Sequence, residues 1–243
     1  SPDLMWFNSP YYHLLYQHRC EAEAVEAMDD LWPLMGLQAG DRVLDLGCGK
    51  GRLSWPLARR GLSVTGMDLG EDNIIQARLT AAEQGLDVNF QTGNMLDGVT
   101  PGPYLAILNW FTSFGFFDDL DSHALVIKQA ADQLMPGGWM RFDFMNILQV
   151  QEGLEPVSHV HLDGIDFNLT RRMDGPFVIK DIHVIDGLVE QRFSERVYGL
   201  TEMDFHAMYQ EAGLEPLKTW GDYQGEAFHK DSPRMITGGR KAL

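Results

Sequence analysis

The sequence predicts an α/β fold in which a seven-stranded, mostly parallel sheet carries helices on both faces, with an antiparallel β insertion after the fifth strand. Short apolar runs alternate with helical periodicity over residues 41–144, a pattern typical of a parallel sheet covered on both faces. Asp-Gly pairs then separate strand-like segments between residues 157 and 198, and Asp-Gly is a strong hairpin signal. The helix-then-strand pattern returns after residue 201.

The individual elements follow from periodicity and from the residues that end each run. Apolar residues at three- and four-residue spacing predict helices over 21–35, 53–59, 71–84, 123–135 and 201–212. The main sheet is expected to contain strands at 41–46, 62–67, 88–91, 104–108, 139–144, 215–220 and 234–240. The insertion is expected to contain strands at 157–162, 165–173, 177–185 and 189–198. We expect one structural domain in three parts, namely 1–151, the insertion 152–200, and 201–243, which completes the main sheet.

Composition limits the classes of function. The chain has 243 residues, 44% of them hydrophobic, and a formal net charge of −16. That balance is unfavourable for a phosphate backbone, so we expect no nucleic-acid partner. Its two cysteines form no Cys-x-x-Cys pair and no apolar run approaches a membrane span, which indicates a reducing compartment and no membrane association. We expect a cytoplasmic protein that is a monomer or a homodimer.

A glycine-rich loop between the first strand and the next helix is the most informative segment. Glycines at 47, 49 and 51 let the backbone approach a ligand closely. A dinucleotide fingerprint would need a glycine where Arg52 stands. Asp45 would repel a pyrophosphate but suits a positively charged amino group. Asp68, about twenty residues after the first glycine, lies where a ribose diol is bound. The loop therefore favours a cationic nucleoside that carries an amino acid.

Four segments resemble motifs of the class I S-adenosylmethionine-dependent methyltransferases, in the order and spacing of that family. They are Leu44–Gly51, Val64–Leu69, Gly93–Met95 and Leu134–Trp139. The resemblance covers roughly residues 40–145 and implies a Rossmann-like fold. It also implies S-adenosylmethionine as cofactor and S-adenosylhomocysteine as product.

The resemblance assigns roles around the cofactor. Asp45 would hold the methionine ammonium, directly or through water, and Asp68 would bind the ribose hydroxyls. The methionine would be lined by Gly47, Cys48 and Gly49, and the adenine would be contacted by Leu69, Asn94 and Met95. Many family members have aspartate where this chain has Asn94, but an amide oxygen can still accept from the adenine amino group.

An aromatic segment, Asn109–Phe117, follows the fourth strand. Its Phe-Thr-Ser-Phe-Gly sequence, the Tyr-x-x-x-Tyr pair Tyr12 and Tyr16, and the insertion together resemble small-molecule methyltransferases, among them the amino-sugar N,N-dimethyltransferases. The resemblance implies an N-terminal lid over the cofactor that contains both tyrosines, with Tyr16 contacting the cofactor and Arg19 reaching the methionine carboxylate. Asn109 ends an apolar strand and must find a polar partner, so we expect it to face the sulfonium.

The acceptor is expected to lie under the lid and the insertion. Tyr12 is our candidate catalytic residue, to orient an amine or to accept its proton through water. Aromatic faces could favour a cationic amine, and one arginine of the insertion could meet an acceptor carboxylate. The expected substrate-binding residues are Tyr11, Phe111, Phe116, Arg172 and Tyr198. His159 and His161 share a strand face without an evident third ligand, so we expect no metal.

Three functions remain open from the sequence. The leading one is methyl transfer to a nitrogen or oxygen of a small metabolite. The alternatives are an enzyme that uses S-adenosylmethionine itself as substrate, by cyclisation or cleavage, and a cofactor-binding regulatory protein without turnover. A nicotinamide-dependent oxidoreductase is disfavoured by Arg52 in the glycine loop.

Overall fold

The structure, a computed structural model, describes residues 4–16, 21–153 and 157–243. Its strands in chain order are β1 (Arg42–Leu46), β2 (Ser63–Asp68), β3 (Val88–Thr92), β4 (Tyr104–Asn109), β5 (Leu134–Met145), β6 (Ser158–Leu162), β7 (Ile165–Asp174), β8 (Phe177–Asp186), β9 (Val189–Tyr198), β10 (Leu214–Pro216) and β11 (Arg234–Lys241). Its helices are α1 (Leu4–Phe7), α2 (Pro10–Leu15), α3 (Glu21–Met35), α4 (Ser54–Arg59), α5 (Glu71–Glu83), α6 (Leu120–Asp132), α7 (Ile147–Glu152) and α8 (Glu202–Glu211).

The main sheet confirms the predicted fold class. Its seven strands have the order β10-β11-β5-β4-β1-β2-β3. Strand β1 pairs in parallel with both β2 and β4, whereas β11 is antiparallel to β5 and β10. The chain order therefore reverses between β1 and β4. In an open α/β sheet such a switch point leaves a crevice at the carboxyl ends of the strands, where ligands bind.

Both faces of the main sheet are buried. One hydrophobic cluster contains Leu44, Ile107 and Phe142, and the other contains Val43, Leu108 and Trp139. Because neighbouring strand residues point to opposite faces, the side chains of Val43 and Leu44 enter different clusters.

No helix in the described ranges is both long enough and apolar enough to span a membrane.

The insertion is a second sheet in which β6, β7, β8 and β9 are paired antiparallel in chain order. All four strands lie within one residue of the predicted bounds. The first hairpin turns at an Asp-Gly pair, and the other two turn at the glycine of such a pair and the residue that follows it. One face packs against the N-terminal helices, where Trp6 and Leu15 join Phe167, Ile182 and Val184 in a buried cluster. The N-terminal helices and the insertion thus form one layer.

Several predicted bounds in the main domain were wrong. Helix α6 begins at Leu120 rather than His123, because the carboxylate of Asp119 accepts from the backbone N–H of Ser122 at 2.7 Å and caps the helix. Strand β5 begins at Leu134, before the predicted turn at Pro136. Strand β10 covers only Leu214–Pro216, and helices α1, α2 and α7 were not predicted.

Candidate functional site

A cavity of about 850 Å³ opens at the carboxyl edge of the parallel strands. Its lining includes the glycine loop after β1, the segments that follow β2 and β3, the loop after β4, helices α1 and α2, and strands of the insertion. Its position at the switch point between β1 and β4 follows from the strand order. The cavity is large enough for a nucleoside cofactor with a small second ligand.

The glycine loop is tied to the end of β2. The backbone N–H groups of Gly47 and Cys48 both donate to the carbonyl oxygen of Met67, at 2.7 and 3.0 Å. The backbone N–H of Gly49 donates to the carboxylate of Asp68 at 2.9 Å. Gly47 has a φ of 76°, and a Cβ built on it would lie 2.8 Å from the Cβ of Ser113. Glycine is therefore required at position 47.

Asp45 lies in β1 beneath this loop and is only 2% exposed. The hydroxyl of Ser54, at the start of α4, donates to its carboxylate at 2.6 Å. Burial is the main cause that raises the pKa of Asp45 to about 7; the nearby Asp68 contributes to the rise, and the hydrogen bond from Ser54 opposes it. A buried carboxylate of this kind is stabilised by a cationic partner, as the predicted contact with an ammonium requires.

Three residues predicted for the adenine end, Leu69, Asn94 and Met95, line the cavity together. The side-chain oxygen of Asn94 accepts from the backbone N–H of Leu96 at 3.0 Å. An amide oxygen has two lone pairs, so one remains for an amino group in the cavity. These residues follow the paired strands β2 and β3, so they lie beside Asp68.

The N-terminal helices cover the cavity and are bonded to the insertion. Tyr12 and Tyr16 line the cavity. The hydroxyl of Tyr16 and the indole N–H of Trp6 donate to the same carboxylate oxygen of Glu195, at 2.7 and 2.6 Å. The ammonium of Lys180 contacts the hydroxyl of Tyr16 and lies 3.9 Å from Glu195. Buried polar contacts therefore fix the position of this lid.

Asn109 does not line the cavity, which corrects the predicted contact with the sulfonium. Its side chain is fully buried. The amide donates to the carbonyl oxygens of Leu46 at 2.8 Å and Ser113 at 3.3 Å, bridging the ends of β1 and the loop after β4. Backbone carbonyls thus supply the partners of Nδ2, whereas the buried side-chain oxygen of Asn109 has no hydrogen-bond partner among the described residues. Phe111 and Phe116, from the same segment, do line the cavity.

Tyr11, Arg172 and Tyr198 also lie away from the cavity, and the expectation for them is corrected. Tyr11 donates to Asp186 at 3.0 Å. Arg172 forms ion pairs with Asp174 and Asp181 at 3.7 and 3.6 Å. The ring of Tyr198 packs against those of His123 and Phe177. In each case the adjacent residue lines the cavity instead, namely Tyr12, Arg171 and Val197. Along the strands, alternate side chains point to opposite faces.

Arg19, predicted to reach the methionine carboxylate, lies outside the described residues.

A row of three charged side chains across the insertion was not predicted. Arg171 is opposite Lys180 on neighbouring strands, and Lys180 is opposite Glu195 on the next, and all three line the cavity. Period-two alternation along β9 places Glu195 on the same face as Val197, but only the pairing of β9 with β8 and of β8 with β7 adds Lys180 and Arg171 to that face.

Asp143 in β5 is a further residue that was not predicted, and it lies beneath the loop after β4. It is fully buried and accepts hydrogen bonds from Tyr223 and Arg234 at 2.9 and 2.7 Å. The sequence did contain a signal for Asp143, because an acid within the apolar strand 139–144 must find polar partners just as Asn109 must.

Within the described ranges no group of three or more metal-ligating side chains is assembled. His159 and His161 both bond to Asp166.

The strand order and the glycine cradle define the class I methyltransferase fold. Residues 43–138 match the methyltransferase domain family. The chain is 35% identical over 109 residues to a ubiquinone biosynthesis O-methyltransferase of Shewanella pealeana, covering 44% of each protein. It is 38% identical over 101 residues to the Aeromonas salmonicida protein of that name, covering 41% of each. These matches span less than half the length of the curated relatives.

Solved structures extend the likeness of fold to nearly the whole chain. An S-adenosylmethionine-dependent methyltransferase from Clostridium acetobutylicum has a TM-score of 0.81 at 18% identity, covering 96% of both chains. An amino pentose methyltransferase from Micromonospora echinaspora, solved with S-adenosylmethionine bound, has a TM-score of 0.72 at 19% identity, covering 96% of this chain and 98% of that one. The insertion is therefore part of the shared fold.

Proposed function

We propose that the protein is an S-adenosylmethionine-dependent methyltransferase that transfers a methyl group to a nitrogen or oxygen of a small molecule by in-line displacement. One observation carries the proposal. A single cavity combines a glycine loop and two carboxylates, Asp45 and Asp68, with an aromatic lid at its other end. The glycine loop and the two carboxylates suit a cationic amino-acid nucleoside, and the aromatic lid suits a small acceptor.

The residues of the cavity fit S-adenosylmethionine. The buried carboxylate of Asp45 offers a negative charge for the ammonium group. Asp68 already accepts from Gly49, Gly70 and Asn73, yet two carboxylate oxygens have about four acceptor sites, which leaves one for a ribose hydroxyl. The adenine would lie between Leu69 and Met95, with the oxygen of Asn94 accepting from its amino group. The bound cofactor supplies an electrophilic sulfonium methyl group.

The protein's own contribution is orientation and exclusion of water. Holding two reactants in line is worth roughly 7–11 kcal/mol, and the lid of Tyr12 and Tyr16 would keep the reacting atoms dry. A tyrosine hydroxyl titrates near 10, so at neutral pH Tyr12 would orient an amine by accepting a hydrogen bond, or relay its proton to water. No metal is required for this chemistry.

The acceptor is proposed to lie between the lid and the insertion. Tyr12, Phe111 and Phe116 offer ring faces there. Arg171, in place of Arg172, would meet a carboxylate of the acceptor. The names of the relatives include an O-methyltransferase and an amino pentose methyltransferase, which supports either oxygen or nitrogen as the methylated atom. We further propose a cytoplasmic monomer or homodimer built as one domain in the three parts predicted from the sequence.

Calorimetry and mass spectrometry test the proposal together. Calorimetry should detect binding of S-adenosylmethionine and S-adenosylhomocysteine to the wild-type protein. Asp68→Asn should weaken the binding of both compounds at least tenfold, because it replaces one accepting carboxylate oxygen by an NH₂ group that donates. The exposed Asp87→Asn is the matched control and should bind like wild type. Absence of binding to the wild-type protein would overturn the proposal.

Incubation of the protein and cofactor with a mixed pool of primary amines, amino sugars and phenols should yield products heavier by one methyl group. The alternatives give different results. An enzyme that consumes S-adenosylmethionine would form products from the cofactor alone. A regulatory protein would bind the cofactor and form no product with any acceptor.

A further inference from the structure

The loop after β4 contains two residues in a conformation that side chains rarely adopt. Phe111 has a φ of 57° and Thr112 a φ of 55°. The other residue of this kind besides glycine in the described ranges is Asp163, in a hairpin turn where an aspartate is tolerated. A β-branched residue such as threonine is a pronounced outlier at positive φ. The surrounding structure must therefore hold the loop in place.

Asp143 holds this loop from beneath. Its carboxylate accepts from the backbone N–H of Phe111 at 3.0 Å, and its carbonyl oxygen accepts from the backbone N–H of Thr112 at 3.0 Å. The same carboxylate accepts from the hydroxyl of Tyr223 and from Nε of Arg234. Four donors from three distant parts of the chain thus converge on one buried residue.

Arg234 connects this network to the side chain of Thr112. Its Nη2 donates to the hydroxyl oxygen of Thr112 at 3.0 Å. A guanidinium has no acceptor, so the threonine oxygen must accept, and its own O–H remains to donate. Thr112 is half-buried and lines the cavity. A bond from a cationic donor polarises the hydroxyl and strengthens it as a donor in turn.

We propose that the Thr112 hydroxyl donates a hydrogen bond to an oxygen atom of the methyl acceptor, and that Asp143 and Arg234 are positioning residues that hold it there. The acceptor therefore carries a hydroxyl, carbonyl or carboxylate oxygen beside the atom that is methylated. The oxygen must be a neighbouring one, because a donor bonded to the nucleophile's own lone pair would oppose attack. This inference rests on the proposed methyl transfer and specifies its acceptor.

The decisive variants are Thr112→Val, which removes the hydroxyl but keeps the branched shape, and Thr112→Ser, which keeps the hydroxyl. The reporter is transfer of radiolabelled methyl from S-adenosylmethionine to the mixed pool of amines, amino sugars and phenols, at subsaturating acceptor. Thr112→Val should lower kcat/KM about tenfold relative to the wild type, whereas Thr112→Ser should keep most of the wild-type kcat/KM. Cofactor affinity measured by calorimetry should be the same in all three proteins.

Asp143→Asn tests the positioning network. One carboxylate oxygen of Asp143 accepts from Arg234, and the other accepts from Phe111 and Tyr223. The NH₂ group of the asparagine therefore faces a donor in either orientation of the amide. The rate should fall about tenfold in the wild-type background and change less than twofold in Thr112→Val, because the two changes remove one interaction. If Asp143→Asn does not fold, Tyr223→Phe, which removes one donor, should show the same pattern more weakly.

Outcomes separate the two proposals. Cofactor binding without methyl transfer by the wild-type protein contradicts the proposed function and the inference with it. Wild-type kcat/KM in Thr112→Val contradicts the inference alone. Equal, additive losses in both backgrounds would mean that Asp143 has only a structural role, and that result would overturn its assignment as a positioning residue.

Discussion

The raised pKa of the buried Asp45 carboxylate predicts how the stability of the cofactor-free protein depends on pH. Its ordinary pKa of 3.8 rises to about 7 in the folded protein, chiefly because of burial. The folded state therefore binds a proton more tightly than the unfolded state does. Stability from this group is complete below pH 3.8 and is lost as the pH rises through 7. The total loss is about three pKa units, or about 4 kcal/mol.

The perturbation is Asp45→Asn, which keeps the shape and an acceptor for Ser54 but cannot ionise. Urea denaturation of both proteins should be followed at pH 5 and pH 8 without cofactor. Between these pH values the wild type should lose about 2–3 kcal/mol relative to Asp45→Asn. Groups common to both proteins cancel in this difference. The exposed Asp87→Asn is the control and should follow the wild type at both pH values.

Cofactor should reverse the order of stability. An ammonium beside Asp45 favours the charged carboxylate, so affinity for S-adenosylhomocysteine should fall up to tenfold per pH unit below pH 7. Saturating cofactor at pH 8 should therefore stabilise the wild type and have little effect on Asp45→Asn. If the two proteins have parallel stability curves from pH 5 to pH 8, the reasoning about this carboxylate is refuted.

Three further predictions concern the cavity. Arg171→Ala should raise KM for the acceptor about tenfold while Arg172→Ala leaves it unchanged, as steady-state kinetics would reveal; equal effects would contradict the assignment. Tyr12→Phe should lower kcat about tenfold or more without altering cofactor affinity, and unchanged turnover would remove its role. Gly47→Ala combines positive φ with a contact of 2.8 Å, whereas Gly85→Ala has positive φ alone. Urea denaturation should show the larger loss in Gly47→Ala, by about 1–3 kcal/mol.

Local chemistry in the sequence determined most of the fold. Alternating apolar runs, the glycine loop and the capping box of Thr201 and Asp204 each depend on residues a few positions apart. The hairpins of the insertion, set by Asp-Gly turns, fell within one residue of their predicted bounds. The part of the cavity around the glycine loop was equally predictable from the sequence, because Asp45, Gly49 and Asp68 lie at the ends of two adjacent strands.

The acceptor end depended on tertiary structure. Whether Arg171 or Arg172 faces the cavity is a choice of sheet face, and it is made by packing against the lid rather than by either arginine. The Asp143 network joins residues 111, 112, 223 and 234, which no sequence spacing connects. The positive φ values of Phe111 and Thr112 exist because those distant contacts outweigh the local backbone preference. The sequence by itself thus determined the sheet and the glycine loop at one end of the cavity, whereas long-range packing decided which side chains of the insertion line it.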